Sequence, residues 1–357
     1  MRIGIDARKI SDTGIGRYIE NLALRLLETD ENVSLILFMA QADIEKFNFP
    51  EGRVGKVLAT AGKYSLSEHW AMGRLAGKGR VDLFHEPHFT LPLYLPCKSV
   101  VTIHDVIHLL DPQVGKAQKI YARWMIGSAL KRADHVLTVS EHSKQNLVDI
   151  FSCDPEKITV TYNGAGNEFS PAGKEDMDKE LSRFNLLPGY YIYVGSDRPH
   201  KNLKAVAAAM ALTPEDARFV IVGRAGQEAR AMFAPYGERV AFINHVGVKT
   251  LTALYTAATA LYFPSYMEGF GLPPLEAMAC RTPVVCSSSS VMPEVVGDAA
   301  ALVHPDDAEE AARLLTLLKR DKAFRESLIQ RGKERIKKFS WDKLAGETLE
   351  IYRKVLV

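Results

Sequence analysis

Apolar residues come in two arrangements along this chain. They form short, almost unbroken runs, and between these runs they return every three or four positions. Ile3 and Ile5 open the first run. Ile19, Leu22, Ala23, Leu26 and Leu27 then follow i, i+3, i+4, i+7, i+8 spacing, which predicts a helix with one apolar face. Further strands are predicted at 33–39, 54–59, 82–85, 100–104, 135–139 and 158–162. The character changes at 163–188, where Gly164, Gly166, Pro171, Gly173 and a charged run from Lys174 to Glu180 predict an inter-domain linker and a polar helix. The alternation restarts with strands at 190–195, 218–222, 240–244, 260–264, 283–286 and 300–303. From Glu309 to Val357 only helices are predicted. Strands apolar throughout, alternating with helices, belong to parallel sheets covered on both faces. Two such series predict an α/β chain with two doubly wound domains, and a length of 357 residues agrees. The expected boundaries are 1–165, 166–339 and a terminal helix at 340–357.

Composition narrows the function. With a formal charge of +2 and 25% charged residues, nothing points to nucleic acid as a partner. Cys97, Cys153, Cys280 and Cys286 are scattered without metal or redox spacing and read as reduced core thiols. Residues 1–6 read as a strand rather than a secretion signal, and no apolar run is long enough to span a bilayer, so a cytoplasmic protein is expected. The segment 115–133 carries Lys116, Lys119, Arg123, Lys131 and Arg132 and no acid, with Ile120, Tyr121, Trp124, Met125 and Ile126 among them. It reads either as a helix with a core-facing stripe or as a peripheral contact with the inner face of a membrane.

The chemistry concentrates between Phe263 and Ala279. A strand end leads through a glycine-rich loop, Glu268-Gly269-Phe270-Gly271-Leu272, into a helix that begins with Pro273 and Pro274 and holds Glu276. Free N–H groups at such a helix start, at the C-terminal end of parallel strands, favour a phosphate. The two glutamates do not suit a glycosidase, whose carboxyl pair stands roughly 5–9.5 Å apart. Eight residues of continuous helix rise about 12 Å, so the acids read as clamps at two ends of one ligand. A turn-capping Glu268 and a solvated Glu276 are the alternative. Gly14 and Gly16 are a weak dinucleotide fingerprint, because Ile19 stands where the third glycine belongs. They read instead as a flexible loop before the first helix. His85, Glu86, His88 and His108 have no tetrahedral metal spacing, and no metal site is expected.

The sequence EGFGLPPLEAMA, with Glu268 and Glu276 at its acidic positions, resembles the donor-site motif of retaining glycosyltransferase family 4. The resemblance runs through Thr13 to Tyr18, Thr102-Ile103-His104-Asp105, Thr138 to Glu141, Tyr162-Asn163-Gly164, Tyr193-Val194-Gly195, Lys201-Asn202, Thr282 to Val285 and Met292 to Ala300. It implies the GT-B fold, two Rossmann-like domains facing each other across an interdomain cleft that closes on its substrates about a hinge near 163–166. It implies transfer of a hexose, mannose first, from a nucleotide diphosphate sugar such as GDP-mannose to a hydroxyl of a glycan or lipid-linked glycan, with no separate cofactor. Glu276 would hold the ribose and Glu268 the transferred sugar. Gly269, Phe270, Gly271 and Leu272 would offer N–H groups, and Lys201 with Arg198 would neutralise the diphosphate. Val246 and Gly247 would line the base, Gly14 and Gly16 would border the phosphates, and His104 would face the reacting sugar. The sequence departs from the family at Ser196, where an arginine is common, and at Arg281, where a glycine is common. A nucleotide-sugar epimerase and a non-catalytic nucleotide-sugar binding protein are the rival readings.

Overall fold

The apolar runs become strands buried on both faces, as continuous hydrophobic segments must be if they are to leave water. In the computed structural model, which describes residues 1–62, 65, 67–165 and 168–357, the chain forms two compact units. One unit is Met1–Gly164 with Ser340–Val357, and the other is Ala165–Phe339. Gly166, part of the expected hinge, lies outside the described residues.

The first unit holds β1 (Arg2–Asp6), β2 (Ser34–Met39), β3 (Val54–Leu58), β4 (Leu83–Glu86), β5 (Lys98–Thr102), β6 (His135–Thr138) and β7 (Ile158–Val160). They make one parallel sheet in the order β3-β2-β1-β4-β5-β6-β7. The second unit holds β8 (Tyr191–Val194), β9 (Phe219–Val222), β10 (Val240–Ile243), β11 (Ala260–Phe263), β12 (Val284–Ser287) and β13 (Ala301–Val303). Its parallel sheet runs β10-β9-β8-β11-β12-β13. Each sheet reverses its winding once, between β1 and β4 and between β8 and β11. A crevice opens at the C-terminal ends of the strands at such a reversal, and it is the usual ligand position in this architecture.

Two expectations need correction. The run predicted as a strand to His104 leaves the sheet after Thr102, so His104 stands on the loop beyond β5. The segment around Gly14 and Gly16 is not a loop, because the first helix begins at Thr13 and runs to Thr29. Gly16 serves close packing there. A Cβ at that position would lie 2.1 Å from the carbonyl oxygen of Ile10. The helix buries Tyr18, Ile19, Leu22, Ala23, Leu26 and Leu27, and the Trp341–Leu356 helix packs along it within the same unit. That last helix starts on Ser340, whose hydroxyl accepts from the Asp342 N–H at 3.1 Å.

At the β1–β4 reversal the first unit encloses a group of charges. Arg8 donates from Nε to both carboxylate oxygens of Asp6 at 2.9 and 3.0 Å, and from a terminal nitrogen to Glu68 at 3.0 Å. Arg8, Asp6, Glu68 and Glu86 are all buried. Burial, reinforced by the nearby negative charge of Asp6, pushes the Glu86 carboxyl well above its usual range, and Arg8 opposes the shift only in part. Glu86 is therefore held neutral, in a hydrogen bond with Asp6. An unfolded glutamate ionises near 4.5, while the folded one keeps its proton. The native chain thus loses stability relative to the unfolded chain as pH rises above that value. Glu86→Gln keeps the neutral donor and removes the titration. Its melting temperature minus that of the wild type should grow between about pH 5 and pH 8. A difference that stays constant over this interval would mean that Glu86 is ionised in the fold.

Candidate active site

In the second unit two loops meet over the β8–β11 crevice. After β8 the chain passes Gly195, Ser196, Asp197 and Arg198 and makes one 3-10 turn, Pro199–Lys201. Asn202 follows in the left-handed region at φ 52°. Its side-chain carbonyl accepts from the Ala205 N–H at 3.3 Å and its amide donates to the Pro305 carbonyl at 2.8 Å. This cap starts the Leu203–Leu212 helix and fixes the direction in which Lys201 leaves the turn. The Tyr193 hydroxyl donates to the Ser196 carbonyl at 2.9 Å and ties the loop back to its own strand.

After β11 the second loop runs to Gly271, whose φ of 87° favours glycine, and a Cβ there would also meet the Met292 side chain at 2.2 Å. The Leu272–Ala279 helix begins directly behind it, with Pro273 and Pro274 in its first turn, where no intrahelical donor is needed. The Ser290 hydroxyl bridges the backbone of Glu268, accepting from its N–H at 3.3 Å and donating to its carbonyl at 3.2 Å. The two loops are joined directly, since the Tyr266 N–H donates to the His200 carbonyl at 2.8 Å.

Lys201 and Glu268 meet across this junction. Nζ donates to Oε1 at 2.7 Å and to Oε2 at 2.9 Å. Glu268 is 9% exposed and Lys201 21% exposed, so the pair stands at the mouth of the crevice rather than in bulk water. Glu276 lies deeper, at 2% exposure, and its Oε2 accepts from the Tyr255 hydroxyl at 2.9 Å. It is thus not a solvated helix residue. Arg198 is exposed on the same loop as Lys201. Phe270 is buried and sets its ring 5.6 Å from that of Phe339, so the residue that separates Gly269 from Gly271 anchors the loop. Val246 and Gly247 follow β10 at the sheet edge, two strands from β8, with Gly247 preceding the Val248–Ala257 helix. Arg281 adopts φ 59°, which explains why a glycine suits that position.

His104 belongs to the first unit. Its Nε2 lies 3.1 Å from the Pro87 carbonyl, so that nitrogen carries the proton and donates, leaving Nδ1 as an acceptor. The Tyr18 ring stands edge-on to the imidazole, with centroids 4.9 Å apart at 89°. The Ser143 hydroxyl donates to the His104 carbonyl at 2.9 Å. Burial lowers the His104 pKa, against the pull of Asp105, so the ring is neutral at pH 7. Gly14 is exposed in the first turn of the Thr13–Thr29 helix. His85 is buried and tied to Thr102 and Tyr352, while His88 stacks on Phe89. Among the described residues no group of three or more histidine, cysteine or acidic side chains is set to hold a metal ion.

The structure therefore brings Lys201, Glu268 and the Gly269–Leu272 segment together and sets Glu276 on Tyr255. Sequence reasoning missed Tyr255, Ser290 and Tyr266. Ser290 ends a run of four serines, which is a visible signal. The bond from Tyr255 to Glu276 spans 21 positions with no spacing rule behind it.

Comparison with known proteins identifies the family. Residues 175–335 match the family model described as glycosyl transferases group 1, and residues 13–166 match that of glycosyltransferase family 4. The O-antigen chain mannosyltransferase B of Escherichia coli is 29% identical over 96% of this chain and 96% of its own. The O-antigen chain mannosyltransferase RfbU of Salmonella typhimurium is 30% identical over 83% of this chain and 84% of its own. Among solved structures, a sucrose-phosphate synthase from Thermosynechococcus elongatus superposes with a TM-score of 0.84 at 21% identity, covering 99% of both chains. That likeness concerns the fold, two Rossmann-like units of the GT-B class. With a relative 30% identical across most of its length, and with both halves matched, the chain belongs to glycosyltransferase family 4.

Proposed function

We propose that this glycosyltransferase moves a mannosyl group, with retention at the anomeric carbon, from GDP-mannose to a hydroxyl of a glycan or lipid-linked glycan. The observation that carries the reading is the Lys201–Glu268 pair at the β8–β11 crevice, directly ahead of the Leu272 helix start. The choice of mannose is supported by the O-antigen mannosyltransferases to which the chain is similar. Lys201 and Arg198 take the diphosphate together with the N–H groups of Gly269 to Leu272. Glu276 accepts from the ribose hydroxyls, oriented by Tyr255, and Val246 and Gly247 flank the base. Glu268 accepts from hydroxyls of the transferred sugar. We assign His104, neutral, to the reacting sugar and Gly14 and Gly16 to the phosphates.

In the reaction the bond from the anomeric carbon to the phosphate oxygen breaks as the acceptor oxygen bonds to that carbon on the same face. The acceptor proton passes to the departing diphosphate. The protein supplies position and charge, with no nucleophile of its own. The cations at the diphosphate are side chains in this reading, so the transfer is metal-independent. A panel of nucleotide sugars with and without alkyl mannoside, read by mass spectrometry, tests it. Mannosyl transfer that survives EDTA is expected. An isomerised donor without acceptor would identify an epimerase, and a bound but unchanged donor a binding protein.

Single substitutions separate the roles. Glu276→Ala should weaken donor binding by roughly 1.5–3 kcal/mol, read by calorimetry, because the ribose loses a charged acceptor. Glu268→Gln should lower turnover more than donor binding. It should leave affinity for the sugar-free nucleotide diphosphate unchanged or higher, since Lys201 is released from its partner. An effect of Glu268→Gln on KM alone would sink its role at the reacting sugar.

A lipid-linked acceptor places the enzyme at the inner face of a membrane. No helix of the described residues is long and apolar enough to cross one. The Lys116–Arg132 helix supports a peripheral contact. It buries Ala122, Met125, Ile126, Ala129 and Leu130, while Ile120 at 71% and Trp124 at 50% exposure project on the opposite face among Lys116, Arg123 and Lys131. Each such cation near an anionic surface contributes about 1 kcal/mol. The protein should float with vesicles containing phosphatidylglycerol and not with pure phosphatidylcholine. The double variant Ile120→Ser, Trp124→Ser should lose flotation while transfer to a soluble acceptor continues. Equal flotation with both vesicle types would remove the membrane from the reading.

A further inference from the structure

Beneath His104 the first unit contains a buried chain of polar groups drawn from four elements. Tyr352, from the last helix, places its hydroxyl 2.5 Å from Nδ1 of His85 on β4. Nε2 of His85 lies 2.7 Å from the hydroxyl of Thr102, the last residue of β5. The Thr102 hydroxyl lies 2.9 Å from that of Tyr18, on the first helix. All four side chains are fully buried. Burial first, and then the neighbouring His104, lowers the His85 pKa to about 3, so the ring is neutral and offers one N–H and one lone pair. The links must therefore run in one consistent sense. If Tyr352 donates to Nδ1, Nε2–H donates to Thr102. If Thr102 donates to Nε2, Nδ1–H donates to Tyr352.

We propose that Tyr18 is a positioning residue for His104, and that the Tyr352–His85–Thr102 chain exists to hold Tyr18 in place. Two ring contacts orient the His104 imidazole, the Pro87 carbonyl at 3.1 Å and the Tyr18 ring at 4.9 Å. The carbonyl fixes one nitrogen. The ring edge fixes the plane. Tyr18 can do this only if its own ring is stationary, and its hydroxyl is tied to the strand end two residues before His104. A phenylalanine would fill the same space with no hydroxyl to satisfy and no polar chain behind it. A four-member polar chain costs desolvation that an apolar quartet would not. The inference rests on the reading that His104 faces the transferred sugar.

Thr102→Val removes the central hydroxyl at nearly constant shape, and Thr102→Ser restores it. Tyr18→Phe cuts the tether from the other side. Each full-length variant is followed by kcat and donor KM, by urea unfolding, and by the NMR signals of the His104 ring. We expect Thr102→Val and Tyr18→Phe to shift the His104 ring signals and to lower kcat roughly tenfold at unchanged donor KM, as a small misplacement of a reacting group does. Thr102→Ser should behave as the wild type. Unmoved His104 signals in folded Thr102→Val and Tyr18→Phe would overturn the proposal. Moved signals with unchanged kcat would uphold the positioning and count instead against a role for His104 at the reacting sugar. Should Thr102→Val unfold, Tyr18→Phe gives the same decision.

Discussion

A lysine and a glutamate 67 positions apart share two hydrogen bonds across the reversal in a parallel sheet, and the geometry of the two loops over that crevice depends on the pair. Both charges are partly withdrawn from bulk water. Removing one partner of a partly desolvated pair leaves the other uncompensated, which costs more than the pair itself contributes. The surrounding backbone serves this constraint. Asn202 caps a helix so that Lys201 leaves the turn at one angle, Ser290 holds the Glu268 backbone at both its donor and its acceptor, and Tyr266 ties the two loops together. The protein thus keeps two opposite charges close at the mouth of the crevice.

The first unit places charge at the equivalent reversal and treats it differently. Arg8, Asp6, Glu68 and Glu86 are enclosed together, and one carboxyl keeps its proton to make the balance tolerable. Such a closed network rigidifies the ends of β1 and β4. The pair in the second unit is left at the mouth, where its charges are available. One topology repeated in a single chain therefore encloses its ions in one place and leaves them near the surface in the other, and the difference lies in the depth at which the ions are set.

The strands were legible because a parallel strand covered on both faces has no polar alternation to confuse it, and the runs at β2, β6, β9 and β11 are of this kind. Where the apolar run outlasts the sheet, as Ile103 does beyond β5, composition cannot mark the exit. Gly14 and Gly16 suggested a loop because glycine usually marks one, whereas Gly16 answers to a carbonyl oxygen six residues earlier. The residues of the loop and helix over the β8–β11 crevice were legible because glutamate, glycines, prolines and glutamate fall in one local stretch. Tyr255 beneath Glu276 was not, nor was Tyr352 on His85, a bond across 267 positions. A hydrogen bond between distant residues has no periodicity, and only the folded chain reveals it.

Ser340–Val357 returns to the unit that Met1–Gly164 began. Trp341, Leu344, Leu349 and Tyr352 are among its buried side chains. During synthesis the first 164 residues emerge while these side chains are still unmade, and the whole of the second unit is translated before they appear. Through that interval the Thr13–Thr29 helix lacks the helix that packs along it and His85 lacks its phenol partner. The first unit is thus completed only after the second has been translated, and a ribosome that stalls within the second unit leaves both without all their native contacts.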